Sequence, residues 1–182
     1  LIQDLDAIPF PAWDLFDLSL YPTPLFFKNR PMLPFNITRG CPFNCTFCSQ
    51  NFVFPGNKVR SRSMGNVADE MAWALQNFGR THFAITDANF PYTEKQTTAL
   101  AEEIMKRGLH KKVVWFTEMH TKMVKNLSLL KTLKEAGCYQ ILLGIESGDN
   151  AVLKMSNKRQ ETEDIRRAVQ LISQAGIRSF GL

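Results

Sequence analysis

No stretch of this 182-residue sequence approaches the roughly 20 continuous apolar residues that a membrane-crossing helix needs. Its first residues, Leu1 to Asp4, lack the basic region and apolar run of a secretory signal, so the expected setting is cytoplasmic and reducing. Cysteine is scarce, four in the whole chain, which excludes a small disulfide-stapled scaffold. Acidic residues are in deficit: 17 Asp and Glu face 22 Lys and Arg, a net charge of +5 with a pI near 9.1. Long basic runs are missing all the same. Short clusters such as Arg60-Ser-Arg62, Lys111-Lys112 and Lys158-Arg159 have the pattern of solvated surface, and nucleic acid is not an expected partner. With 45% hydrophobic and 21% charged residues, the chain has an ordinary globular composition and is long enough to bury a core. It does not begin with Met, which raises the expectation that something upstream has been removed.

Proline is unevenly spread. Pro9, Pro11, Pro22, Pro24 and Pro31 crowd the start, among Phe10, Trp13, Tyr21, Phe26 and Phe27. Such proline density forbids a long helix or a central strand, while the aromatics give the segment apolar surface to bury. Residues 1–33 therefore read as an extended arm packed on the outside of a domain that spans residues 34–182.

From Leu33 onward, short apolar runs alternate with helical patterns. Strands are expected at Leu33–Thr38, His82–Thr86, Val113–Thr117, Tyr139–Ile145 and Ile177–Leu182. Helices are expected over Asn66–Phe78 with Gly79 as a stop, after a Thr93/Gln96 capping box, after a Ser128 cap, and after a Thr162 cap. This alternation demands a parallel sheet covered by helices, either doubly wound or part of a barrel.

The densest chemistry lies after the first strand, in Cys41-Pro-Phe-Asn-Cys45-Thr-Phe-Cys48. Three thiolates on one short loop can hold three corners of a cube-shaped iron–sulfur cluster. Full ligation takes four cysteines, so a trio leaves one iron open to another ligand. Zinc competes for the same thiols, but it wants four nitrogen or sulfur ligands. The only other thiol, Cys138, is far along the chain in an apolar run and reads as a small core residue.

In parallel α/β folds ligands meet the carboxyl ends of the strands. Here those ends carry Asp87, Glu118 and Glu146 in turn, with His120 close by. Each has an ordinary alternative. Asp87, near Asn89 and Pro91, could shape a turn; Glu118 could pair with Lys122 at i,i+4 spacing; Lys158 could be a solvated loop residue. Glu146 lies in Gly-Ile-Glu-Ser-Gly, where an idle carboxylate beside apolar neighbours is costly.

The cysteine spacing, with Phe47 between the last two thiols, resembles the signature of the radical S-adenosylmethionine (radical SAM) enzymes. A fuller resemblance is to their cobalamin-associated branch. It rests on Ile85-Thr-Asp87-x-Asn-Phe90, Trp115-x-x-Glu118, the run from Gly137 to Gly148 around Glu146, and Val152 to Lys158. It runs from about Pro34 to the last residue, and the Pro-rich arm is similar to that branch's interdomain connector.

The resemblance implies a partial TIM-type (βα)6 barrel, truncated after about five strands. It implies a [4Fe–4S] cluster on Cys41, Cys45 and Cys48, with SAM chelated at the open iron and cleaved reductively to a 5′-deoxyadenosyl radical. Phe47 would lie against the adenine, and Asp87 would accept from the SAM amino group. Glu118 and Glu146 would reach the ribose or its surroundings, and Lys158 would face the SAM carboxylate. His120 stands where many relatives carry Arg, which leaves its role open. A small-molecule substrate and an electron donor such as flavodoxin or ferredoxin are implied as partners. Cobalamin, bound by a removed N-terminal domain, is implied only for the parent enzyme, where methyl transfer or cyclisation is the expected chemistry. Two other readings are a methylthiotransferase-like RNA-modifying enzyme and a non-catalytic iron–sulfur or zinc module.

Overall fold

The computed structural model describes residues 2–21, 32–54 and 58–182. In chain order its strands and α-helices are β1 (Leu33–Phe35), β2 (Thr38–Arg39), α1 (Gln50–Val53), β3 (Arg60–Ser61), α2 (Met64–Phe78), β4 (His82–Ile85), α3 (Glu94–Lys106), β5 (Val114–Met119), α4 (Leu127–Glu135), β6 (Cys138–Leu143), α5 (Asn150–Met155), α6 (Thr162–Gln174) and β7 (Arg178–Gly181).

Five strands form one parallel sheet in the order β1-β4-β5-β6-β7. Its register runs Leu33 beside Phe83, Phe83 beside Trp115, Thr117 beside Ile141, and Ile141 beside Ser179. Every residue of β4 and β6 is buried, as expected of parallel strands covered on both faces. The sheet ends at β1 on one side and β7 on the other, so the barrel is partial and open.

The main core lies between the sheet and its helices. Val67, Met71 and Ala74 of α2, Leu100 and Ile104 of α3, Leu133 of α4 and Ile172 of α6 meet Phe83, Ile85, Trp115 and Ile141. A smaller cluster of Ala84, Phe116, Tyr139 and Leu142 occupies the opposite face.

Local signals explain most helix ends. The Ser63 hydroxyl accepts from Asn66 N–H, and Gly79 closes α2 in the left-handed region at φ 61°. The Thr93 hydroxyl accepts from Gln96 N–H, but the Gln96 side chain accepts from Tyr92 N–H, one residue before the cap. Two expected caps are corrected. Asn126, not Ser128, caps α4 by accepting from Leu129 N–H, and Glu161, not Thr162, caps α6 in a reciprocal box with Asp164. The expected first strand is two pieces, because after Phe35 the chain turns to pair β2 antiparallel with β3. Two short helices, α1 and α5, were not foreseen; Asp149 caps the second by accepting from Ala151 and Val152 N–H.

In the arm, Leu5 is buried and Trp13 and Leu18 pack on the main core. Phe10 lies 5.6 Å from the Trp73 ring. The expected arm residues Pro22, Pro24, Phe26, Phe27 and Pro31 lie outside the described residues. Among the described residues no helix is long and apolar enough to cross a membrane.

Candidate functional site

The loops that leave the carboxyl ends of β1, β4, β5 and β6 meet around one cavity of about 270 Å3. Seven of the eight residues singled out from the sequence line it: Cys41, Cys45, Cys48, Phe47, Glu118, Glu146 and Lys158. The eighth, Asp87, does not.

Cys45 is buried, Cys41 and Cys48 are half-buried, and none of the four cysteines is in a disulfide. Burial pushes the Cys41 and Cys45 thiols up, and the Lys158 charge draws both the other way. The loop that carries them is held by chain from far away. Thr46 N–H donates to the Ser156 carbonyl at 2.9 Å, and Asn157 Nδ2 donates to the Asn44 carbonyl at 2.8 Å.

His120, whose role the sequence left open, joins the two loops. Its ring stacks on Phe43 with centroids 4.0 Å apart and 8° between planes. Its Nδ1 accepts from Lys122 N–H at 3.2 Å, so the proton sits on Nε2, which donates to the Lys158 carbonyl at 2.7 Å. Burial draws its pKa down to about 4, which keeps the ring neutral near pH 7. Its backbone N–H donates to Asn89 Oδ1 at 2.8 Å, so Asn89 is a further buried residue of the site.

Lys158 Nζ lies 2.8 Å from Glu146 Oε1 and 5.8 Å from the centre of the Phe47 ring. Phe47 itself is about half exposed at the rim. Among the described residues, the non-glycine positions with positive φ are Glu146, Asn157 and Arg159, all at this pair. Such backbone costs about 1–3 kcal/mol at each residue and persists where surroundings enforce it. Gly144 leaves room for the pair, since a Cβ there would lie 2.6 Å from Lys158 Nζ. Glu118 has no side-chain hydrogen bond among the described residues, and burial, then the Asp87 charge, raises its pKa. The i,i+4 alternative for Glu118 is not realised, because Lys122 pairs with Asp164 at 3.4 Å.

Asp87 does other work. Its Oδ1 accepts from Ile37 N–H at 2.8 Å, and its Oδ2 accepts from Thr38 N–H at 2.7 Å and the Thr38 hydroxyl at 2.6 Å. It is 1% exposed. Both oxygens are thus engaged with the segment that leads to the cysteines, and Asp87 is not among the residues that line the cavity, where the resemblance would place the SAM amino group.

Residues 35–182 match the family model of the radical SAM superfamily. The chain belongs to this superfamily. It is 28% identical to an uncharacterised methyltransferase of Pyrococcus horikoshii, over 100% of this chain and 38% of that protein. It is 32% identical to the anaerobic magnesium-protoporphyrin IX monomethyl ester cyclase of Cereibacter sphaeroides, over 97% of this chain and 28% of that enzyme. The solved structure of OxsB, a cobalamin-dependent SAM radical enzyme with aqua-cobalamin and SAM bound, matches with a TM-score of 0.70 and 23% identity. That match covers 82% of this chain and 23% of the OxsB chain, and at such identity it is a likeness of fold. The chain thus spans well under half the length of these curated relatives.

Membership of the radical SAM superfamily implies a [4Fe–4S] cluster and SAM as cofactors, and the donor set fits them. Each thiolate of a cubane binds its own iron, so the three sulfurs need not converge. The three thiols come from one loop that borders the cavity, while the fourth cysteine, Cys138, lies buried in the main core and cannot complete the four-ligand set that zinc prefers there. The same cavity supplies Glu118, an acceptor with no side-chain hydrogen bond among the described residues, and a cation, Lys158, suited to a zwitterionic ligand with hydroxyls.

Proposed function

We propose that this chain is the catalytic core of a radical SAM enzyme of the cobalamin-linked branch, with Cys41, Cys45 and Cys48 as the cluster ligands. The observation that carries the reading is the convergence of those thiols with Glu118, Glu146 and Lys158 on one cavity at the strand ends. When bound, the cluster supplies the one-electron chemistry by which this family cleaves SAM to methionine and a 5′-deoxyadenosyl radical.

The protein's own part is to bind, orient and exclude water. Lys158 offers its ammonium to the ligand carboxylate, and Glu146 keeps that ammonium in place until the ligand arrives. Glu118, acceptor-only when ionised, takes hydrogen bonds from the ribose hydroxyls or the ammonium. Phe47 presents a ring face at the rim for the adenine. Phe43, Met119 and Leu182, which also line the cavity, limit water around the reacting centre.

Cobalamin belongs to this reading as a cofactor of a longer enzyme, as in OxsB. Methyl transfer or ring formation on a small molecule follows from the names of the relatives. The electron comes from a separate donor such as flavodoxin or ferredoxin, in keeping with a reducing, cytoplasmic setting.

The test is anaerobic reconstitution with iron and sulfide, followed by electron paramagnetic resonance (EPR) of the reduced protein with and without SAM. A cubane signal that shifts on adding SAM and is lost in Cys45→Ala supports the reading. Stoichiometric zinc with no cluster overturns it.

A further inference from the structure

Asp87 and Tyr92 sit in the same loop, between β4 and α3, and both reach the five residues that lead into Cys41. Asp87 takes the backbone N–H groups of Ile37 and Thr38, together with the Thr38 hydroxyl. The Tyr92 hydroxyl donates to the Gly40 carbonyl at 2.7 Å, one residue before the first thiol. From the other side, Arg62 N–H donates to the Ile37 carbonyl at 2.9 Å, and the Lys58 carbonyl presses on Gly40, where a Cβ would lie 2.1 Å from it. Gly40 has φ +107°, a conformation that side chains disfavour. The backbone entering the cysteine loop is therefore pinned on its donors by one carboxylate, on a carbonyl by one phenol, and sterically by the chain that leads into β3.

Two features set this arrangement apart from ordinary packing. A carboxylate 1% exposed is expensive to bury, and Asp87 spends all of its described hydrogen bonds on a single short segment. That segment is the one whose next residues are the thiols. The direction of Cys41 relative to Cys45 and Cys48 depends on where residues 37–40 are held, and a cubane tolerates little freedom in its ligands.

We propose that Asp87 and Tyr92 form a two-point clamp that presets the cysteine loop for its cluster, making Asp87 a positioning residue and not a ligand of SAM. The clamp exists in the cluster-free protein. It rests on the radical SAM reading only for what the loop goes on to bind.

The experiment has two arms. In cluster-free protein, amide hydrogen exchange at Ile37 and Thr38 is followed by NMR in the parent, Asp87→Asn, Thr38→Val and Tyr92→Phe. The clamp predicts at least about tenfold faster exchange at one or both amides in Asp87→Asn, because the side-chain NH2 cannot accept where one carboxylate oxygen did. Thr38→Val moves them in the same direction by less, while Tyr92→Phe leaves them near the parent rate. In reconstituted protein, Asp87→Asn and Tyr92→Phe each lower iron and sulfide content or broaden the EPR signal. SAM affinity per cluster stays within about threefold of the parent.

Unchanged exchange in Asp87→Asn overturns the clamp. So does a parent-like cluster whose SAM affinity falls tenfold or more in Asp87→Asn, because that is the signature of a direct ligand. If Asp87→Asn fails to fold, Thr38→Val decides the exchange arm and Tyr92→Phe the cluster arm; parent-like behaviour in both overturns the proposal. A parent protein that takes up zinc and no cluster sinks the radical SAM reading, and the exchange arm still decides the clamp.

Discussion

Lys158 and Glu146 meet at 2.8 Å across the cavity, and each stands in backbone that is costly to hold. Glu146 has φ 63°, and Lys158 is flanked by Asn157 at 52° and Arg159 at 56°. The strain is concentrated where charge must be positioned, so the pair is better read as preorganised for a ligand than as a source of stability.

Removing either the ammonium or its space should therefore cost binding more than folding. Lys158→Met should weaken SAM affinity of the reconstituted protein at least tenfold, or about 1.4 kcal/mol, by isothermal titration. Gly144→Ala should do the same by displacing Lys158 Nζ, the flexible end of a side chain. Its thermal midpoint should stay close to the parent's, since that end can move aside. Parent-like SAM affinity in both variants would remove Lys158 from the site.

Gly40 and Gly176 offer a contrast between two left-handed glycines. At Gly176 a Cβ meets nothing within 4 Å, so Gly176→Ala should cost only the conformational penalty of about 1–2 kcal/mol. At Gly40 the Cβ runs into the Lys58 carbonyl, and backbone must shift. Gly40→Ala should cost at least about 3 kcal/mol in urea denaturation and reduce iron uptake.

His120 links stability to pH. Its pKa falls from 6.5 to about 4 on folding, because burial disfavours the imidazolium. Between those values the unfolded chain holds a proton that the folded chain does not. The contribution is complete above pH 6.5 and drains away as pH falls toward 4. Urea midpoints of the cluster-free protein should thus drop more between pH 7 and pH 4.5 in the parent than in His120→Gln. Equal slopes would mean that the ring takes up its proton alike in the folded and unfolded chain.

Cys138 should be dispensable for iron. It is fully buried, and burial pushes its thiol up to about 12. Cys138→Ala should keep the parent's iron and sulfide content, at a stability cost near 1 kcal/mol for the lost sulfur. Loss of iron in that variant would make it a ligand.

The sheet and its helices were legible because their causes are local. Glycine stops, alternating apolar runs and the Ser63 and Thr93 caps all act within a few residues. The caps that sequence misplaced show the limit of that locality. Asn126 and Ser128 both precede a leucine-rich run, and either could have opened the helix. At the last helix Glu161 takes a position where Thr, Asp or Asn is commoner, so the rule pointed one residue on. Most of the lining of the candidate cavity was readable from strand ends and cysteine spacing. The backbone contacts of Asp87 were not, because its partners lie 49 and 50 residues away and only the pairing of β1 with β4 brings them together. His120 was left open for the same reason: its carbonyl partner is 38 residues off.

The bond between Asn157 and Asn44 spans 113 residues. A ribosome adding about 5–20 residues per second would release the three thiols some 6–23 s before their partner loop has been made. Until residues 156–158 have been made, the loop lacks both of the long-range bonds that hold it, Thr46 to Ser156 and Asn157 to Asn44, so its final position cannot follow from its own sequence alone.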